Sequence, residues 1–155
     1  MKLKLIYPRW PKLNRQTEFH LPPHGPVVFA AALPEDVEVE FVDENLEDLN
    51  FDDTPDLVAI SMMLTVQVKR GWQIADEYRR RGKKVIFGGI ATMLHADETA
   101  AHADAVFLGE AEGRMEKVLA DFKGVTPARI WTFSVNPSSW ACRNTIWWSW
   151  LYRSS

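Results

Sequence analysis

Asp56-Leu57-Val58-Ala59-Ile60-Ser61 is an apolar run of strand length without polar alternation, the pattern of a strand buried on both faces of a parallel sheet. Downstream, Val66 to Arg81 puts Val68, Trp72 and Ala75 on one helical face, with Tyr78 at its edge. Arg79 to Arg81 fall in the last turn, where cations suit the helix dipole, and Gly82 supplies the stop. Lys84 to Phe87 predicts a strand running into Gly88 and Gly89, Ala96 to Ala103 a short helix, Ala105 to Leu108 a strand and Glu110 to Phe122 a last helix. Upstream, Leu3 to Tyr7 is a β-prone run stopped by Pro8, and a loop rich in Pro, Arg and His continues to Gly25. Val27 to Leu33 predicts a short helix ended by Pro34, and Val37 to Val42 an edge or near-edge strand. The acidic stretch from Asp43 to Asp53 reads as a solvated loop. Five strands alternating with helices predict a doubly wound α/β domain with right-handed crossovers and a parallel sheet.

A chain of 155 residues, 46% hydrophobic, accommodates one such domain with one well-buried core. The formal net charge of -3 offers no basic excess to attract nucleic acid or an anionic membrane, so neither is an expected partner. Cys142 is the single cysteine, which leaves no internal disulfide and too few thiolates for an iron–sulfur cluster in this chain. The opening MKLKLIYPRW has an apolar part far shorter than a signal-peptide core, and no 18-residue apolar run follows, so a soluble, cytoplasmic protein is expected.

The character of the sequence changes near residue 124. All 21 acidic residues lie in the first 121, and at that density the last 34 would hold about six. Trp131, Trp140, Trp147, Trp148 and Trp150 crowd the same stretch, which shows no helical or strand period. Residues 1–123 are therefore read as the domain, and 124–155 as a Trp-rich tail outside its fold. Three origins stay open for the tail: a partner-binding arm, a docking tail, or a segment that selection did not shape, such as a shifted reading frame or a fusion.

In open parallel sheets, ligands bind beyond the carboxyl ends of the strands, where the strand order reverses. The segments there exclude several common tenants. No G-x-G-x-x-G and no G-x-x-x-x-G-K-[ST] occurs to cradle a phosphate. Tyr7 and Ser61 stand where a phospho-acceptor domain carries acids, and Pro8-Arg9-Trp10-Pro11 is the opposite of a flavin phosphate loop. No catalytic triad and no H-E-x-x-H is legible. What remains is small and hydroxyl-bearing. Ser61, Met63, Leu64 and Thr65 place two hydroxyls around apolar side chains, and Gly88, Gly89, Ala91 and Thr92 open a strand into a loop. The arrangement suits a slot in which a flat or extended ligand passes close to the backbone.

Leu21-Pro22-Pro23-His24-Gly25, Ala30-Ala31-Ala32-Leu33-Pro34, Val42-Asp43-Glu44, Ala59-Ile60-Ser61, Gly88-Gly89, His102-Ala103-Asp104-Ala105-Val106 and Gly109-Glu110-Ala111-Glu112 follow one another in a characteristic order. In these pieces the chain resembles the N-terminal cobalamin (B12)-binding domain of B12-dependent radical SAM proteins, over roughly residues 1–123. The resemblance implies a flavodoxin-like, Rossmann-like five-stranded parallel sheet of order 2-1-3-4-5, holding cobalamin with its nucleotide tail threaded into the sheet edge. It implies that Ser61 and Thr65 line the tail pocket, that Gly88 and Gly89 clear space for it, and that Gly109, Glu110, Ala111 and Glu112 lie beside the corrin or face a catalytic domain. Many corrinoid carriers donate a cobalt-ligating histidine from D-x-H-x-x-G after the first strand. This chain has no such motif, which leaves His24 or His20 as weak metal candidates. The family continues into a radical SAM barrel with C-x-x-x-C-x-x-C, and here the chain stops short of one, so methyltransferase-like chemistry is not expected of it alone.

Simpler roles compete for the same residues. His24, His95 and His102 also read as solvated or capping groups, Glu110 and Glu112 as carboxylates favoured at a helix start, and Met62 and Met63 as apolar lining. The competing reading of the whole is a protein-interaction or regulatory α/β domain with no bound corrinoid. A stand-alone enzyme has no identifiable nucleophile, base or metal cluster to support it.

Overall fold

The computed structural model describes residues 1–11, 23–111, 113–124 and 129–132. Its strands are β1 (Lys2–Tyr7), β2 (Glu38–Asp43), β3 (Leu57–Ser61), β4 (Lys84–Gly88), β5 (Ala105–Leu108) and β6 (Arg129–Thr132), in one sheet of order β2-β1-β3-β4-β5-β6. Every pairing is parallel. The expected order 2-1-3-4-5 of a flavodoxin-like fold is present. β3 is central because Leu57, Val58, Ala59 and Ile60 are all buried, which only a strand covered on both faces permits.

Alternate strand residues feed two cores. Ile6, Val58, Ile60, Val85 and Phe87 pack with α2 (Val68–Arg80), α3 (Ile90–Leu94) and α4 (Ala96–Ala100). Leu3, Leu5, Leu57, Ala59, Ile86 and Phe107 pack with α1 (His24–Ala31) and α5 (Met115–Gly124). The helices therefore change face between β1 and β3, and the reversal of strand order falls there.

Four features differ from the sequence expectation. First, α3 occupies a stretch expected to be loop; it is five residues long, too short to show a period. Second, α5 starts at Met115 rather than Glu110, because Gly109 (φ 123°) and Gly113 (φ 68°) hold the preceding segment in left-handed conformations that a helix cannot include. Third, the acidic stretch after β2 is partly internal: Asp43 and Glu44 are buried, and Asp53 pairs with the Nζ of Lys4, itself buried within β1. That ammonium also reaches Glu40 of β2 at 3.3 Å and donates to the Asn50 carbonyl at 3.0 Å, so β2 and the loop after it together supply the partners a buried cation needs. Fourth, β6 lies inside the stretch read as a tail, where it pairs with β5. Its β-branched and aromatic residues suit a strand, yet with α5 on the α1 side its crossover has the opposite hand to the others. Residues 125–128 and 133–155, with Cys142, lie outside the described residues.

Candidate functional site

At the carboxyl end of the sheet, the loops after β1 and β2 are tied to α2 by side chains. Glu44, 2% exposed at its side chain, accepts from the Arg9 backbone N–H at 3.1 Å and from Arg70 through Nε at 2.9 Å and through Nη2. Asn45 Oδ1 accepts the Trp10 N–H at 3.3 Å, and Asp43 fixes Asn45 through its backbone N–H at 2.9 Å and its amide at 2.8 Å. Trp10 in turn meets Tyr7 edge-on at 5.6 Å between ring centroids. Gln67, fully buried in the 3-10 turn Thr65–Gln67, joins the loops after β1 and β3. Its Oε1 accepts the N–H groups of Met63 and Leu64, both at 2.9 Å, and its Nε2 donates to the Pro8 carbonyl at 2.6 Å. Burial lifts the Tyr7 phenol above its ordinary pKa against the opposing hydrogen bond with Gln67, and the nearby Asp43 carboxylate adds to the rise.

Beyond β3 and β4 the junction is made by main chain. Met62 N–H donates to the Gly88 carbonyl at 2.9 Å, and the Ala91 N–H returns to the Met62 carbonyl at 3.0 Å. A Cβ on Gly89 would stand 2.4 Å from the Met62 carbonyl oxygen, and its φ of 94° with ψ of 167° is a region that glycine alone occupies readily. Gly88 differs from its neighbour: a Cβ there would meet nothing within 4 Å. Thr92 is buried with its hydroxyl donating to the Gly88 carbonyl at 2.8 Å, and Ala91 is buried in the core. Ser61 is half-buried at the end of β3 and Thr65 exposed two residues after Met63; neither hydroxyl is hydrogen-bonded among the described residues.

The structure thus brings Ser61, Met63, Leu64, Thr65, Gly88, Gly89, Ala91 and Thr92 to one edge. Met63, Leu64, Val66, Ile90, Met93 and Leu94 are exposed there, and the 3-10 turn packs on α3, which makes the patch continuous. After β5, Gly109 and Glu110 are exposed, Ala111 is buried, and Glu112 lies outside the described residues. His24 opens α1 and is exposed; His20 lies outside the described residues. Among the described residues no group of three or more His, Cys, Asp or Glu side chains is arranged to hold a metal. No helix among them is long and apolar enough to cross a membrane. A cleft of about 440 Å³ opens at the opposite, amino end of the strands, lined by Leu57, Lys84 and Phe122 among others, and none of the candidate residues reaches it.

Sequence reading missed Glu44, Arg9, Arg70 and Gln67. Gln67 had one signal, since Gln at the third position of a helical start commonly accepts the N-cap N–H, as it does here from Leu64.

A flavodoxin-order sheet with hydroxyls, an open glycine and apolar side chains at its carboxyl edge defines a ligand-binding α/β domain. The family model for the B12 binding domain matches residues 12–119, and the chain belongs to that family. Among curated proteins, it is 38% identical over 109 residues, 70% of its length, to the bacteriochlorophyllide d C-8(2)-methyltransferase of Chlorobaculum tepidum, and covers 23% of that protein. It is 33% identical over 90 residues, 56% of its length, to the bacteriochlorophyllide d C-12(1)-methyltransferase of the same organism, and covers 20% of it. The chain therefore spans less than a quarter of the length of these relatives. No solved structure matches it. Family membership supports cobalamin as the ligand and does not favour an interaction domain without a corrinoid.

Proposed function

We propose that this domain holds cobalamin across the carboxyl ends of β3, β4 and β5, as the cofactor-binding part of a cytoplasmic B12-dependent radical SAM methyltransferase. The observation that carries the reading is the opening beside Gly88, flanked by the Ser61 and Thr65 hydroxyls, which have no hydrogen-bond partner among the described residues, within a chain of the B12-binding family. In this reading Ser61 and Thr65 hydrogen-bond the nucleotide tail, and Gly88 leaves the gap it enters. Ala91 and Thr92, through their bonds to Met62 and Gly88, and Gly89, close against the Met62 backbone, shape the floor of that gap. Met63 and Leu64, with the patch around them, offer an apolar platform to the macrocycle. Gly109, Glu110 and Ala111 stand beside the corrin or toward a catalytic domain. Bound cobalamin supplies carriage of a methyl group; the residues of this chain bind, orient and shield it. The two curated relatives, methyltransferases of a bacteriochlorophyllide by name, support a methyl-transfer role for the longer protein.

Mixing the purified protein with hydroxocobalamin and desalting tests the reading. Corrinoid absorbance should stay with the protein and be lost on Gly88→Val, a β-branched residue that suits a strand and whose Cβ meets nothing within 4 Å. Loss of all colour from the unmodified protein on desalting would overturn it.

A further inference from the structure

We propose that Gln67 is the positioning residue of this site, a buried latch that sets the loop after β3 against the loop after β1; the ligand-binding part of this inference rests on the cobalamin reading. A primary amide has two acceptor lone pairs and two N–H donors. Gln67 uses both lone pairs on consecutive N–H groups, Met63 and Leu64, and one donor on the Pro8 carbonyl. Three of the groups it satisfies are main-chain groups of two segments that leave adjacent strands at the point where strand order reverses, and the Tyr7 phenol is a further hydrogen-bond partner of its side chain. With no exposed surface of its own, the side chain fills the crevice between them.

Two consequences follow for the site. The N–H groups of Met63 and Leu64 are consumed internally, so this loop meets a ligand through its side chains, and both side chains are exposed. Ser61 and Thr65 flank the latched pair, and their spacing is held by it. Gln67 touches no ligand in this arrangement; it acts through the loop.

Gln67→Glu and Gln67→Leu test the latch. A protonated carboxyl reproduces the main-chain part of the amide pattern, its hydroxyl donating to Pro8 and its carbonyl accepting from Met63 and Leu64, whereas a carboxylate has no donor, opposes the Pro8 carbonyl and gains only the Tyr7 hydroxyl as an added donor. Hydroxocobalamin affinity, taken at each pH relative to the unmodified protein, should be roughly tenfold weaker for Gln67→Glu at about pH 8 and recover toward about pH 5. Gln67→Leu should be weak at both, and its Met63 and Leu64 amides should exchange with solvent at least about tenfold faster. A Leu variant with unchanged affinity and unchanged exchange overturns the proposal. If Gln67→Leu fails to fold, absence of pH recovery in Gln67→Glu overturns it. If the unmodified protein retains no corrinoid, the cofactor reading falls, and amide exchange in Gln67→Leu alone decides the latch.

Discussion

The two junctions at the carboxyl edge are built from different materials. Between β1 and β3, the contact is made by side chains: Gln67 reaching Pro8, and Glu44 gathering Arg70 and the Arg9 backbone. Between β3 and β4 it is made by main chain, Met62 exchanging hydrogen bonds with Gly88 and Ala91. A side-chain junction fills its crevice, and its strength can be altered one functional group at a time. A main-chain junction needs no particular side chain, but it demands a residue with none where the backbones meet, and that position is Gly89. The free space begins one residue earlier, at Gly88. In the proposed reading, polar closure on one side and a bare backbone with open space on the other leave the β3–β5 side to the ligand.

Gly89→Ala should break the main-chain junction and have the largest effect. The Cβ meets Met62 backbone atoms, which cannot rotate away, and the φ of 94° adds strain. A loss of about 3 kcal/mol or more is expected from these two terms together, read as a fall in the urea midpoint. A loss under about 1 kcal/mol would show that the two loops separate easily, and the contrast between the junctions would disappear.

The same contrast explains what the sequence disclosed. Leu57 to Ile60, Val85 to Phe87 and Ala105 to Leu108 read directly as strands, because unbroken burial leaves an unbroken apolar run. The Gly-Gly pair was read as part of the candidate site, and its two members differ in a way that depends on where Met62 lies in space. Glu44 was hidden within a run of acids that reads as solvated; its burial comes from Arg9 and Arg70, which lie 35 and 26 residues away. Gln67 was equally inconspicuous between Val66 and Val68, since its Pro8 partner is 59 residues distant. Periodicity reports which face of an element is apolar. It carries no record of which polar side chain finds a distant backbone group.

Glu44→Gln weakens the side-chain junction without removing its shape. The amide keeps one acceptor for Arg9 or Arg70 but loses the charge that draws the guanidinium, so a cost of about 1–2 kcal/mol is expected. The effect should lie between those at Gly89 and at the protein surface. An unchanged urea midpoint would mean that solvent replaces Glu44 at no cost, and that the loop after β1 is held by Gln67 and the Tyr7–Trp10 contact instead.

Glu77→Gln, on the outer face of α2, sets the lower end of the scale. Glu77 bonds Arg80 at 2.7 Å and 3.0 Å and also meets Arg81, and these hydrogen bonds hold its carboxyl at about 2 against an ordinary 4.5. A carboxyl depressed in the folded state stabilises the fold above its unfolded pKa and loses that contribution as pH falls toward the folded value. The pairs are at the surface, so the penalty for Glu77→Gln should be the smallest of the three and should shrink with added salt. Comparing its urea midpoint with that of the unmodified protein, the gap should be constant near pH 7, begin to close below about pH 4.5 and vanish as pH approaches about 2. A gap as wide as that of Glu44→Gln would show that burial is not what separates the two glutamates, and the side-chain junction would lose its distinction from an ordinary surface pair.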